Sequence, residues 1–395
     1  MTGSGFLCGA GGYLFQGILG HRLNQAEFGY VNTATAFVNL LGLPLAITAY
    51  AVVHHIARFR ASGDDSRLKA LLVGSRSFLL RLTVIGCLVG VLVVRPLSVY
   101  FNFPRAALTL MSLVYLLFSI WSIYFSSLCQ GLAWFARLAV LGVAVVIVRV
   151  VCVFVLTARY SHAEAGLLAN ALGALSTFVV LFWGRELFVH GNKAPVWTGG
   201  FFVYLVVAAA NVGGGFCFTQ GDLLVAQRHL PRESAGLGDF SAAGLLARAL
   251  WFVSGPVLTV VFVARSGQEK AAHARNQFSA LGVYAAALIV GAACLYLVRD
   301  FALKLLGKYS PAASAMILPL AVTMVFVGLI QAVGIWALAS RWLRLAVLYG
   351  ALGVAYWCAL LVLGTSLPAL LNLMPTLTGI CFVALLLACM VLLRK

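Results

Sequence analysis

Charge is what this sequence has least of. Only 9% of its 395 residues are charged, and just 10 are Asp or Glu. A soluble domain carries about 25% charged residues, so a water-soluble enzyme built round one core is excluded. With 63% hydrophobic residues and a mean hydropathy of +1.03, the chain is solvated by lipid. Catalytic signatures are missing as well. There is no H-E-x-x-H, no G-x-S-x-G nucleophile elbow and no D-x-D, which removes the usual metalloprotease, serine-hydrolase and metal-dependent glycosyltransferase chemistries. No C-x-x-C occurs among the nine cysteines, nearly all of which lie in apolar runs, so they read as small lipid-phase residues and not as redox or metal ligands. The seven histidines are scattered, and the His54–His55 pair has no close Cys or Asp neighbour. Neither a metal nor a cofactor is called for. The short alternating runs of an outer-membrane barrel are absent too.

What is present is a succession of apolar stretches of about helical membrane length. Cutting at charged and turn-rich points gives twelve expected spans: 5–19, 29–54, 78–94, 106–129, 138–156, 165–183, 200–219, 240–264, 278–298, 313–340, 345–364 and 375–393. The first is short, and the Met1-Thr-Gly-Ser-Gly start lacks the basic region of a signal peptide, so it is read as a helix. The expected fold is all-α and polytopic, about twelve transmembrane helices in two six-helix lobes, 1–195 and 196–395, round a central cavity. A faint similarity at an offset of 207 residues, aligning Gly29 with Gly236, Ala36 with Ala243 and Arg58 with Arg265, has the form of a parallel-repeat transporter.

The basic residues number 27. Placing both termini in the cytoplasm puts sixteen of them on inner segments and nine on outer ones, in agreement with the positive-inside rule. The inner stretch 58–69 reads as a basic amphipathic surface for anionic membrane lipids. Nucleic acid is not an expected partner, because the basic residues form no continuous face.

Two basic residues, Arg149 and Arg248, fall inside spans. A guanidinium at mid-span costs roughly 2.5–3.5 kcal/mol on insertion scales, so each must find a polar setting. That setting is either a water-filled cavity, where the guanidinium binds phosphate or pyrophosphate, or neighbouring backbone carbonyls reached by snorkelling. All ten acids lie in loops or near span ends, which disfavours cation-coupled export through a membrane-embedded carboxylate. Asn32 and Asn39, seven apart on the second span, and Asn211 on the seventh are positioned either to bond across helices or to contact sugar hydroxyls. Gly213, Gly214 and Gly215, with Pro44 and Pro256 inside other spans, are the hinge candidates, with close helix packing as the alternative.

Two segments carry a resemblance. His21-Arg-Leu-Asn-Gln-Ala-Glu-Phe-Gly29, followed by Tyr30 and the Pro44 span, resembles the R-x-L-x-x-x-E-F-G-x-Y opening of the polysaccharide (O-antigen flippase-like) family. That family belongs to the multidrug/oligosaccharidyl-lipid/polysaccharide (MOP) superfamily. Gly221-Asp-Leu-Leu-Val-Ala through Ala235-Gly236 and Phe240-Ser-Ala-Ala243 is similar to the same family's stretch from the seventh into the eighth helix. The resemblance implies a non-enzymatic flippase in the bacterial plasma (inner) membrane, translocating a polyprenyl-pyrophosphate-linked oligosaccharide. A polysaccharide polymerase and glycosyltransferases would be its partners. It also carries Arg22 and Arg248 over as cavity arginines. The rivals are a cation-coupled small-molecule antiporter of the same fold and a membrane polysaccharide ligase or polymerase. For the latter, Glu27, Glu164, His162 and Asp300 are the outer-loop candidates.

Overall fold

A computed structural model describes residues 2–178, 199–230, 235–263, 270–339 and 343–393. The described residues hold thirteen α-helices and no strand. They are α1 (Thr2–Arg22), α2 (Gln25–Ala61), α3 (Asp65–Tyr100), α4 (Ala106–Gly131), α5 (Phe135–Arg159), α6 (Ala163–Leu175), α7 (Gly199–Thr219), α8 (Gly221–His229), α9 (Ala235–Val263), α10 (Lys270–Leu305), α11 (Pro311–Ala339), α12 (Leu343–Leu363) and α13 (Leu367–Leu393). Lipid explains the uniformity, since only helices satisfy their own backbone within a single segment. Eight of these helices are long and apolar enough to cross a membrane. The expected seventh span is followed, after a break, by the short helix α8.

Several helices outrun the expected spans. At 37 residues, α2 is about 55 Å long, against a hydrocarbon thickness of about 30 Å. It passes His54, His55, Arg58 and Arg60 before ending at Ala61. The basic stretch 58–69 is built from two helices. It is the end of α2, a turn with Gly63 at φ 67°, and the start of α3. Arg60 donates to the Leu132 carbonyl at the end of α4, and Asp64 caps α3, accepting from the Arg67 amide (3.0 Å) and the Ser66 hydroxyl (2.8 Å). Those bonds to its charged form hold the Asp64 carboxyl below the usual carboxylate range.

The chain divides into two compact units. One holds residues 1–24 and 34–209, and the other holds 25–33 and 210–395, so the first turns of α2 group with the second unit. The expected lobe boundary at 195/196 lies outside the described residues. In the first unit α1 runs parallel to α5. Gly142 faces Cys8, Gly11 faces Val146, and Phe15 and Arg22 meet Arg149 and Phe154 in register. In the second unit α7 runs parallel to α12 in the same way. A Cβ on Gly350 would lie 2.8 Å from the Ala210 Cα, and one on Gly353 would lie 2.7 Å from the Gly214 Cα. Small residues let backbones touch where no hydrophobic force separates helix from lipid. In both units the first span therefore packs along the fifth, the relation that the faint sequence repeat would leave. Within the second unit α11 is the most enclosed span and packs against α9, α10, α12 and α13. The outer faces of α3, α5 and α10 expose Leu88, Leu92, Val155 and Leu297, which is the surface expected against acyl chains.

Two outcomes check these packing and capping claims. Gly353→Leu must drive α7 and α12 apart, lowering the thermal unfolding midpoint, whereas the same change at Gly213, which has nothing within 4 Å of a Cβ, leaves it nearly unchanged. Because the Asp64 carboxyl titrates below its ordinary value, its cap is complete above about pH 3.9 and is lost as pH falls through the depressed pKa. Amide exchange at Arg67, read as protection relative to a free peptide at the same pH, reports this directly: protected at neutral pH in the wild type, unprotected at every pH in Asp64→Ala. A protected Arg67 in that variant would remove the cap from the account.

Candidate functional site

The seventh span breaks where α7 stops at Thr219 and α8 restarts at Gly221, with Gln220 between them at φ −138° and ψ −14°. A break in a membrane helix exposes carbonyls at one end and amides at the other, and both need partners. Arg248, on α9, supplies the first by donating from Nε to the Thr219 carbonyl at 2.6 Å. Trp357, on α12, donates from Nε1 to the Gly221 carbonyl at 3.1 Å. Only glycine fits at 221, because a Cβ there would stand 2.6 Å from the Trp357 ring.

Asp222 sits in the first turn of α8, the helix end that favours negative charge, with its side chain 1% exposed. Both of its carboxylate oxygens accept from Arg248 Nη2, at 2.7 Å each. Arg248 thus closes the negative end of α7 and neutralises the acid at the positive end of α8. Asp222 stands just past the end of the expected seventh span, and its side chain is buried inside the second unit. Arg248 is correspondingly not a lone cation. The Tyr356 hydroxyl, on a residue 2% exposed, lies within electrostatic reach of both groups and has no hydrogen-bond partner.

The arginines of the first unit are held differently. The Arg149 guanidinium lies 4.1 Å from the Phe15 ring centroid and that of Arg22 lies 5.5 Å from Phe154. On the parallel α1–α5 seam each helix therefore offers an arginine to an aromatic ring on the other, a cation–π arrangement. Gly173 of α6 makes room for the Arg149 stem, since a Cβ there would lie 3.1 Å from the Arg149 Cβ. One turn earlier on α6, Asn170 is buried with Oδ1 unbonded. Among the described residues no carboxylate pairs with Arg22 or Arg149. Arg149 and Arg248, expected as a pair, fall in different units.

The two segments that carry the family resemblance meet within the second unit. Gly29 lies against Leu237 and Gly238, and Gly238 lies against the Gln25 backbone. Gln25 and Ser310 donate to Asp239 Oδ1, the latter at 2.6 Å. Phe28 is fully buried beneath the Lys308 ammonium, 5.6 Å from its ring centroid. Burial pushes that ammonium below its ordinary range, while Asp239 pulls it back up. The motif residues thus pack the start of α2 on the start of α9.

The remaining candidates are dispersed. Asn32 is buried and donates to its own helix at the Phe28 carbonyl, 3.0 Å away, while Asn39 is exposed. Asn211 is half-buried with Nδ2 unbonded. α7 runs unbroken through Gly213, Gly214 and Gly215, and Gly214 packs on Tyr349. Pro44 and Pro256 lie within helical α2 and α9, the former accepting from Thr48. Of the outer acids, Glu164 is held by Arg105 at 2.9 Å, Asp300 accepts from Ser314 at 2.6 Å, and Glu27 is buried. His162 touches Arg105 at 3.3 Å. Among the described residues no three His, Cys, Asp or Glu side chains are grouped to hold a metal.

The ion pair makes a sharp stability prediction. Asp222→Ala leaves a buried guanidinium unpaired and is expected to cost about 3–5 kcal/mol. In the cycle of Asp222→Ala with Arg248→Met the double variant is expected to lose clearly less than the sum of the two single losses, the Thr219 carbonyl left without its donor remaining as a cost. Additive losses in this double-mutant cycle, read by thermal or denaturant unfolding in detergent, would show that the two groups are not coupled.

No family model matches the chain, and no curated protein matches it in sequence. Solved structures do match it in shape. It is similar to the inward-facing conformation of a multidrug-resistance MATE transporter of the MOP superfamily at 12% identity, covering 97% of this chain and 92% of that one, with a TM-score of 0.65. It is similar to the lipid II flippase MurJ in an inward closed conformation at 14% identity, covering 98% and 85%, with a TM-score of 0.68. A MOP-superfamily transporter from Pyrococcus furiosus is similar at 13% identity, covering 99% and 95%, with a TM-score of 0.62. Over nearly its whole length, therefore, the chain has the fold of MOP-superfamily transporters.

Proposed function

We propose that the protein is a flippase that carries a polyprenyl-pyrophosphate-linked oligosaccharide across the bacterial plasma membrane for cell-surface polysaccharide synthesis, working beside the glycosyltransferases and polymerase that make and extend it. The carrying observation is the α1–α5 seam, where Arg22 and Arg149 stack on aromatic rings with no carboxylate partner among the described residues. Unpaired guanidinium groups in a membrane helix bundle favour an anionic ligand, and their planar forks suit phosphate. Fold alone does not set the cargo: the P. furiosus transporter is described as having a binding pocket of reversed polarity, suggesting a different function. The lipid II flippase among the structural neighbours supports a lipid-linked cargo for this fold. Cytoplasmic termini and anionic lipid at the basic inner ends of α2 and α3 complete the reading.

Cation-coupled export of small molecules is the second reading, favoured by the burial of Asp222 and by the MATE neighbours. Against it, the charge of Asp222 is already taken by Arg248.

The test is transbilayer movement of a labelled polyprenyl-pyrophosphate oligosaccharide in liposomes, followed with an impermeant glycosidase. Wild type is expected to expose the inner pool, and Arg149→Ala and Arg22→Ala each to slow this about 10- to 100-fold, the worth of one charge-assisted hydrogen bond. Movement that is unaffected by either substitution, or drug efflux driven by an ion gradient in place of lipid movement, sinks the flippase reading.

A further inference from the structure

We propose that Asp222 is an internal occupant of an anion site on Arg248: its carboxylate holds the guanidinium until the phosphate of the ligand takes its place, and Asp222 then accepts a proton from solvent. This rests on the reading of the cargo as a lipid-linked pyrophosphate.

The geometry of the pair supports an exchange. Arg248 uses Nε for the Thr219 carbonyl and Nη2 for both oxygens of Asp222, and Nη1 makes no hydrogen bond among the described residues. Space beside Nη1 is kept open by Gly244, whose Cβ, if it had one, would lie 3.0 Å from that nitrogen. The pair is also asymmetric in exposure, with the arginine side chain 13% exposed and the aspartate 1%, so the accessible edge belongs to the guanidinium. A phosphate oxygen arriving there meets a donor already oriented by the end of α7. The bond to Thr219 can persist while Nη2 changes partner.

The exchange needs an answer for the carboxylate left behind, because an unpaired buried charge is costly. Among the described residues Arg248 is the sole charged group facing Asp222. Its carboxylate also accepts from the backbone amides of Asp222 and Leu223 in the first turn of α8. Tyr356 of α12 lies within electrostatic reach of it, and Cys217 of α7 and Cys381 of α13 lie in reach of Tyr356. None of these offers a replacement cation. Protonation therefore removes the charge, and the Tyr356 hydroxyl, buried, without a hydrogen-bond partner and within electrostatic reach of Asp222, is the group to which the acid so formed can turn. The proton comes from solvent and no bond other than O–H forms. Ligand affinity must then rise as pH falls, since the liganded state binds one more proton than the free one.

Full-length protein in phosphatidylcholine nanodiscs, titrated with farnesyl pyrophosphate at pH 8 and pH 5.5 and with farnesol as the uncharged control, tests this. Wild type is expected to bind the pyrophosphate roughly tenfold or more tightly at the lower pH. Asp222→Asn, whose side chain carries no charge, is expected to bind at pH 8 as tightly as wild type does at pH 5.5. Its residual slope reports only the probe's own ionisation near pH 6. Arg248→Gln loses both the affinity and the slope. An Asp222→Asn protein with wild-type affinity and wild-type slope overturns the inference and leaves the flippase reading standing. Wild type that binds neither compound, or binds farnesol equally well, overturns both. Should Asp222→Asn not fold, Tyr356→Phe carries the test: deleting the hydroxyl must shift the midpoint of the wild-type pH dependence, and an unshifted midpoint overturns the proposal.

Discussion

A backbone group with no partner is ruinous in hydrocarbon, and the second unit is organised round one place where partners had to be found. The break at Gln220 frees the carbonyl of Thr219 at the end of α7. Arg248 takes it, and Trp357 donates to the Gly221 carbonyl at the start of α8. A guanidinium brought that deep requires a counter-charge, which Asp222 supplies from the first turn of the restarted helix. The indole, in turn, requires glycine at 221, and the guanidinium lies against Gly244. One discontinuity thus gathers two charges, an indole and a glycine. The second bond of Arg248, to the Thr219 carbonyl, gives the ion pair a reason to persist where apolar packing alone would often be as stable.

The two units use the same frame to different ends. Each lays its first span parallel to its fifth along small residues. In the first unit that seam presents guanidinium groups on aromatic faces, leaving their donors unspent. In the second, the arginine comes from the neighbouring helix α9 and its donors are largely committed to the break. The two units share close backbone approach and differ in their polar chemistry, as helix packing by small residues and the placing of charge are separable demands.

How much of this is legible in the sequence follows the same physics. The spans are legible because lipid enforces long apolar runs, and Arg149 and Arg248 stand out because charge inside such runs is rare. Helix ends are not. Lys and Arg are good helix formers, so charges end the membrane span without ending the helix, and α2 and α3 continue past Arg60 and back to Asp65. Glycine points to a break at Gly213–Gly215, but the helix breaks at Gln220, where the Arg248 side chain stands ready to take the freed Thr219 carbonyl. Asp222 is in plain view inside the second motif, next to Gly221. Its burial depends on α9, α12 and α13 meeting there, and no period within one helix records such a meeting. The glycines of the motifs tell of packing and not of ligand, since Gly29 and Gly238 each meet a partner helix.

The difference between the arginines bears on how a carrier avoids holding its cargo too well. A guanidinium with its donors unspent would hold a pyrophosphate tightly, and the proposed carrier must also release it. A guanidinium that is paired when empty changes the arithmetic, because the attraction of an arriving phosphate is offset there by the attraction of the carboxylate it displaces. On the proposed reading Arg248 then supplies geometry and discrimination, with an affinity held down by the carboxylate that the ligand must displace. A ligand without two-pronged phosphate chemistry fails to displace Asp222 and meets a site already closed on itself. Selectivity in such an arrangement comes from the internal competitor as much as from the arginines that attract, which is specificity by a built-in rival.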